Sequence, residues 1–215
     1  MGIKRRRFYR PSGTLRYKKL FIIATEGVKT EPEYFAAIQT EQSVIQIRCL
    51  KSKTKSAPLQ VLKRMQDHIK EEGLKDSDEA WLVADRDCWD EKQIKQMYDW
   101  AQQKENYGFA LSNPKFEYWL LLHFDDGDAI TSSRTCSDRL RRHLPDYDKG
   151  VAANKITREM VETAIRRASQ RDNNNDSGWP VTTGTTVYRL VRHILAAEKR
   201  CLNCSSYARY HSLQG

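Results

Sequence analysis

The stretch Lys19-Leu20-Phe21-Ile22-Ile23-Ala24-Thr25-Glu26-Gly27 decides the fold. Its apolar run has the length of a buried strand, and it breaks at a Glu-Gly turn signal. Further along, Ala80-Trp81-Leu82-Val83-Ala84 repeats the arrangement and breaks at Asp85-Arg86-Asp87. Val44 to Leu50 alternates as a strand would, and Tyr107 to Leu111 reads as a fourth. Between them, Thr30-Glu31-Pro32-Glu33 predicts a capping box, with Thr30 as N-cap and Glu33 reaching back. That box opens a helix burying Tyr34, Phe35 and Ile38, with Glu31 and Glu33 read as helix-start acids favoured by the dipole. Leu59, Leu62, Met65 and Ile69 recur at helical spacing after Pro58, and Ile94, Met97, Tyr98 and Ala101 do the same. Ser112-Asn113-Pro114 predicts the start of a fourth helix. Strand and helix alternating four times predict an α/β core, its sheet mostly parallel and flanked by helices.

After residue 124 the pattern turns helical, with expected helices at 136–144, 154–171 (Asn154 as N-cap) and 185–199. The expected organisation is a basic arm over 1–17, an α/β core over 18–124 and a helical extension over 125–215 packed on that core.

The chain has 215 residues and a net charge of +9, and where that charge sits matters more than its sum. Residues 1–20 carry eight basic residues and no acid, leaving 29 basic residues against all 28 acids in the rest. A basic arm on a near-neutral body suits contact with a polyanion backbone, so Lys4, Arg5, Arg6, Arg7 and Arg10 are candidate nucleic-acid ligands. No run approaches the roughly 18 apolar residues of a bilayer span, so no membrane partner is expected. Five scattered cysteines and an arginine-rich start without an apolar signal core point to thiols in the cytoplasm.

Three constellations bear on chemistry. In open α/β sheets ligands bind beyond the carboxyl ends of the strands, so Glu26 and the Asp85/Asp87 pair are expected at one site. Such carboxylates suit a hard cation, Mg²⁺ or Mn²⁺, with Asp85 and Asp87 as metal ligands. Glu26 then serves as general acid or base or completes a second metal position. Lys29, near the same strand end, is a candidate for neutralising phosphate charge. The second constellation is Ser112-Asn113-Pro114 with Glu117, Trp119 and His123. Asn113 is a candidate phosphate contact at a helix start, and Glu117 is either a member of the metal site or a partnered structural acid. His123 is a general base or a satisfied core histidine, the latter favoured. The third, Cys201-x-x-Cys204 with His211, is one ligand short of a structural zinc site, and free thiols are expected. No Walker A motif, GxGxxG fingerprint or serine elbow occurs.

A strand followed by Glu-Gly and a later strand followed by Asp-x-Asp resemble the Toprim fold of primases, topoisomerases and OLD-type nucleases. More narrowly, Ile22 to Phe35, Val83-Ala84-Asp85-Arg86-Asp87 and Leu111 to Phe124 look like the RloB family, together with the basic arm and a late Thr185-Thr186-Val187 segment. The resemblance implies a Toprim-like Rossmannoid core, with Glu26 matching the Toprim glutamate and Asp85 and Asp87 the metal-binding aspartates. It also implies a place in abortive infection of the AbiL type, beside an ATPase partner. The expected function is therefore a Mg²⁺-dependent Toprim endonuclease cutting RNA or DNA, with Glu26, Asp85, Asp87 and Glu117 as catalytic residues. The alternative is a subunit without catalysis that binds nucleic acid or regulates the ATPase. A homodimer is compatible with either reading.

Overall fold

The computed structural model describes residues 19–39, 45–51, 57–86, 89–147, 155–172 and 178–211, with the side chains of Pro58 and of 200–211 left out. Lys4, Arg5, Arg6, Arg7, Arg10, Asp87 and Asn154 lie outside the described residues, and so do the side chains of Cys201, Cys204 and His211.

Among the described residues five strands form one sheet: β1 (Lys19–Thr25), β2 (Ile45–Leu50), β3 (Glu79–Asp85), β4 (Tyr107–Asn113) and β5 (Gly184–Thr185), in the order β2-β1-β3-β4-β5. The first four run parallel and β5 is antiparallel to β4. Residues alternate across the sheet as the pleat requires. Phe21, Ile23, Trp81, Val83 and Ala110 face one apolar cluster, while Leu20, Ile22, Ala24, Leu82 and Leu111 face the other.

Helices α2 (Pro58–Glu72) and α3 (Glu91–Ala101) fill the second face with Val61, Met65, Ile94, Met97 and Trp100. The first face takes α1 (Thr30–Ile38), α4 (Phe116–Leu121), α5 (Ser133–His143), α6 (Arg158–Asp172) and α7 (Val187–His211). The described helices after residue 124 share the apolar cluster of this face of the sheet. None of the described helices is long and apolar enough to cross a membrane.

The later helices start at Ser133, Arg158 and Val187, against the expected 136, 154 and 185, and two further starts, next to the strand ends, also differ from the sequence reading. α1 begins at Thr30 with Lys29 as N-cap and no side-chain cap. The N-cap is thus Lys29 in place of the expected Thr30, and Glu31 turns back from the first turn, its Oε1 accepting the Gly27 amide at 2.9 Å. α4 begins at Phe116, not at Ser112-Asn113-Pro114. There β4 runs on through Asn113, because Ser112 and Asn113 pair with Thr185 and Gly184 of β5. The late threonines clamp this junction: the Leu111 amide donates to Thr186 Oγ1 at 2.9 Å, and the Thr186 amide returns to the Leu111 carbonyl at 2.9 Å. β5 has two residues, too few for any periodicity to announce it.

The strand order sets where a ligand can sit. Chain direction across the sheet reverses after β2, when α2 crosses over β1 to reach β3. β1 and β3 therefore flank the switch point, and open α/β sheets bind their ligands beyond the carboxyl ends of such strands.

Candidate functional site

Glu26 and Asp85 end the two strands that flank the switch point. The register pairs Thr25 with Val83, and the Glu26 amide donates to the Val83 carbonyl at 3.3 Å. Glu26 is buried, and Asp85 keeps intermediate exposure at the last position of β3. One Asp85 oxygen accepts the Phe116 amide at 2.7 Å, which fastens the strand end to the first turn of α4.

Asp85 stands at the centre of an acidic cluster. Its carboxyl is held well above the usual carboxylate range, first by loss of surrounding water and then by the charges of Glu31, Glu26 and Glu117; the Phe116 amide pulls the other way. Two thiols register the same field from either side. Burial lifts Cys49 to about 12 with help from Glu31. Burial also lifts Cys136 to about 12, where Lys115 opposes and Glu117 and Asp85 reinforce the rise. Neither thiol is a nucleophile at neutral pH.

Glu117, on α4, is bound into the wall of the site. The Tyr147 hydroxyl donates to its Oε1 at 3.3 Å, and the Lys115 ammonium lies 3.9 Å away. Lys115 donates to Ser137 Oγ at 2.6 Å, and Thr30 Oγ1 lies 3.4 Å from the Tyr147 oxygen. Burial raises the Tyr147 phenol far above its ordinary value, with the Glu117 charge adding to it. Tyr147 thus remains a neutral donor to Glu117.

The other sequence candidates divide. Lys29 is exposed at the cap of α1, beside the Glu26-Gly27 turn. Asn113 spends its side-chain amide on the Val181 carbonyl at 2.9 Å, so it tethers the loop before β5. α4 has six residues, and its start is occupied by Asp85, so the expected phosphate-holding turn at Asn113 is replaced by a strand pairing. His123 is a core histidine, 4% exposed: Nδ1 faces the Trp119 carbonyl at 3.0 Å and Nε2 faces the Tyr34 hydroxyl at 3.2 Å. The carbonyl can only accept, so Nδ1 carries the proton and Nε2 accepts from Tyr34. Burial lowers its pKa to about 4, which keeps it neutral.

Glu31 is the site member that sequence reasoning missed. It is 4% exposed, and a Cβ on Gly27 would collide with its carboxylate. The signal available was the glycine four residues before it, at a turn that needs room for a returning side chain.

As a donor set the cluster is all carboxylate oxygen, the chemistry of a hard divalent cation, whose charge would relieve the crowding at Asp85. Among the described residues, no group of three His, Cys, Asp or Glu side chains is disposed to hold a metal ion. Asp87 lies outside those residues. Mg²⁺ commonly takes one or two carboxylates and fills its shell with water and phosphate oxygens, so the donors here fit its chemistry.

No curated protein and no solved structure matches the chain. A family model described as RloB-like protein matches residues 21–194, a span that begins in β1, takes in all five strands and ends within α7. The chain belongs to the RloB-like family.

Proposed function

We propose that this chain is a Mg²⁺- or Mn²⁺-dependent nuclease of Toprim type that cuts phosphodiester bonds in RNA or DNA, acting in phage defence beside an ATPase partner. One observation carries the reading: an Asp85 carboxyl held well above its usual range by lost hydration and by Glu31, Glu26 and Glu117, at the switch point of the sheet. A solvent-facing structural acid has no reason to be crowded by like charges, whereas a site for a cation does. Asp85 and Asp87 would hold the cation, which when bound would polarise the scissile phosphate.

The remaining roles belong to the chain's own groups. Glu26 accepts the proton of the attacking water. Glu117, fixed by Tyr147 and Lys115, keeps its charge turned toward Asp85. Lys115 and Lys29 offset charge that gathers on the phosphate. The defence role and the ATPase rest on the family resemblance.

The test is cleavage of end-labelled RNA and DNA by purified protein with Mg²⁺ or Mn²⁺, alone and with the proposed ATPase partner. Cleavage that is lost in Asp85→Asn and in Glu26→Gln supports the reading. Binding without cleavage under every condition would replace it with that of a subunit that only binds nucleic acid.

A further inference from the structure

A cleft of about 390 Å³ opens beside the carboxylate site, between the end of β2 and one face of α2. Lys51 lines it from the strand side, and Gln60, Lys63, Arg64, Asp67 and Glu71 line it from the helix, at the spacing that sets side chains on one helical face.

Charge is sorted along this face. α2 starts at the carboxyl edge of the sheet and runs back toward the amino edge, so Lys63 and Arg64 lie nearer the carboxylate site than Asp67 and Glu71. Arg64 fixes the position of the cationic end. Its Nη1 donates to the Thr25 carbonyl at 3.2 Å and lies 3.4 Å from the Leu50 carbonyl, bridging the ends of β1 and β2 one residue before Glu26. Lys51 and Lys63 are exposed, and neither has an ion-pair partner among the described residues.

Resting on the nucleic-acid reading of the carboxylate site, we propose that the cationic end of this cleft is a subsite for the phosphodiester backbone, with Lys51 and Lys63 contacting phosphates that flank the bond to be cut. A polyanion approaching four clustered carboxylates is repelled. Arg64, held at the carbonyl one residue before Glu26, and the two lysines that line the same cleft counter that repulsion and give the strand a track. Arg64, committed to two main-chain carbonyls, forms the floor of the track, and the acids at the far end of the cleft mark where it stops.

The experiment measures equilibrium binding of single-stranded RNA and DNA of one sequence at several salt concentrations, in EDTA so that no turnover occurs. Wild type is compared with the Lys51→Ala, Lys63→Ala double variant. Lys70→Ala, which removes an exposed cation from the last turn of α2, is the control. Two lost phosphate contacts make the log–log salt slope shallower by about 1.4, at about 0.7 per contact on a single strand. The control should keep the wild-type slope. A double variant that keeps the full slope while wild type binds overturns the subsite and leaves the nuclease reading standing. An equal change in Lys70→Ala shows a general charge effect and also overturns it. A wild type that neither binds nor cleaves overturns both.

Discussion

Asp85 at the end of β3 and Phe116 at the start of α4 are joined by one hydrogen bond of 2.7 Å, from the Phe116 amide to the Asp85 carboxylate. The bond holds in place a carboxylate that three others crowd, and it survives replacement by asparagine, whose carbonyl oxygen accepts as well. The cost of the charge can therefore be separated from the loss of the bond.

Asp85→Asn should raise the melting temperature in EDTA at pH 7 by about 2–4 °C, the change that ~1 kcal/mol makes in a domain of this size. The sign follows from the raised carboxyl: the folded state holds its proton more tightly than the unfolded chain, so this group's contribution falls as pH rises above 3.8. With Mg²⁺ or Mn²⁺ at a hundredfold excess over Kd, the wild type should gain ~2.7 kcal/mol, about 5–10 °C. Most of that gain should vanish in the variant. Thermal scans with and without metal decide it.

Glu31 and Gly27 form the second relationship to test. Gly27→Ala brings a methyl group onto the Glu31 carboxylate, so the helix start or the turn must shift, at about 1–3 kcal/mol. Glu31→Gln keeps an oxygen for the Gly27 amide and removes only the charge. Its stability in EDTA should equal or exceed that of wild type, whereas Gly27→Ala should melt lower. A Gly27→Ala protein that melts with wild type would show that the room beside Gly27 carries no stability.

These residues also show how far the sequence could be read. Glu26 and Asp85 were legible because apolar runs long enough to be buried strands stop at them, and parallel strands present their ends on one edge. Glu31 was not, because its local signal, an acid in the first turn of a helix, is also what the helix dipole favours, and only the three-dimensional turn at Gly27 distinguishes the two. That Asn113 sits in a strand and not at a helix start is illegible for a tertiary reason. Its pairing partner lies in β5, 71 positions away at Gly184, and a two-residue strand leaves no pattern. For His123 the sequence favours a core histidine over a general base, and the structure supplies the acceptors and donor that a buried imidazole needs.

His123 should make the protein acid-sensitive in a defined window. Its folded pKa of about 4 lies below the ordinary 6.5, so its contribution is whole above 6.5 and is lost as pH falls from there toward 4. His123→Phe should flatten melting temperature against pH across that window. At pH 7 it should cost ~1–3 kcal/mol, since the buried Tyr34 hydroxyl loses its acceptor. An unchanged profile in the variant would assign the acid sensitivity elsewhere.

Glu79 sets a second and lower acid limit at the opposite edge of the sheet. Burial alone would raise its carboxyl, but hydrogen bonds from His193, Lys19 and Trp81 outweigh it and hold the pKa at about 2 against 4.5. The contacts measure 2.8 Å to His193 Nδ1, 2.6 Å to Lys19 Nζ and 2.8 Å to Trp81 Nε1, so one carboxylate ties β3 to β1 and to α7. Its stabilisation is present above pH 4.5 and is lost as pH falls from 4.5 to about 2, a window below that of His123. Glu79→Gln should therefore cost on the order of 3 kcal/mol at pH 7, or about 6–12 °C in Tm. Near pH 2 the difference from wild type should close. His193→Ala should cost less, because that side chain is half exposed and Lys19 and Trp81 still hold the carboxylate. Neither variant touches the carboxyl edge, so metal should still raise their melting temperatures by the wild-type amount. A Glu79→Gln protein that lost the metal-induced shift would show that the two edges of the sheet are coupled.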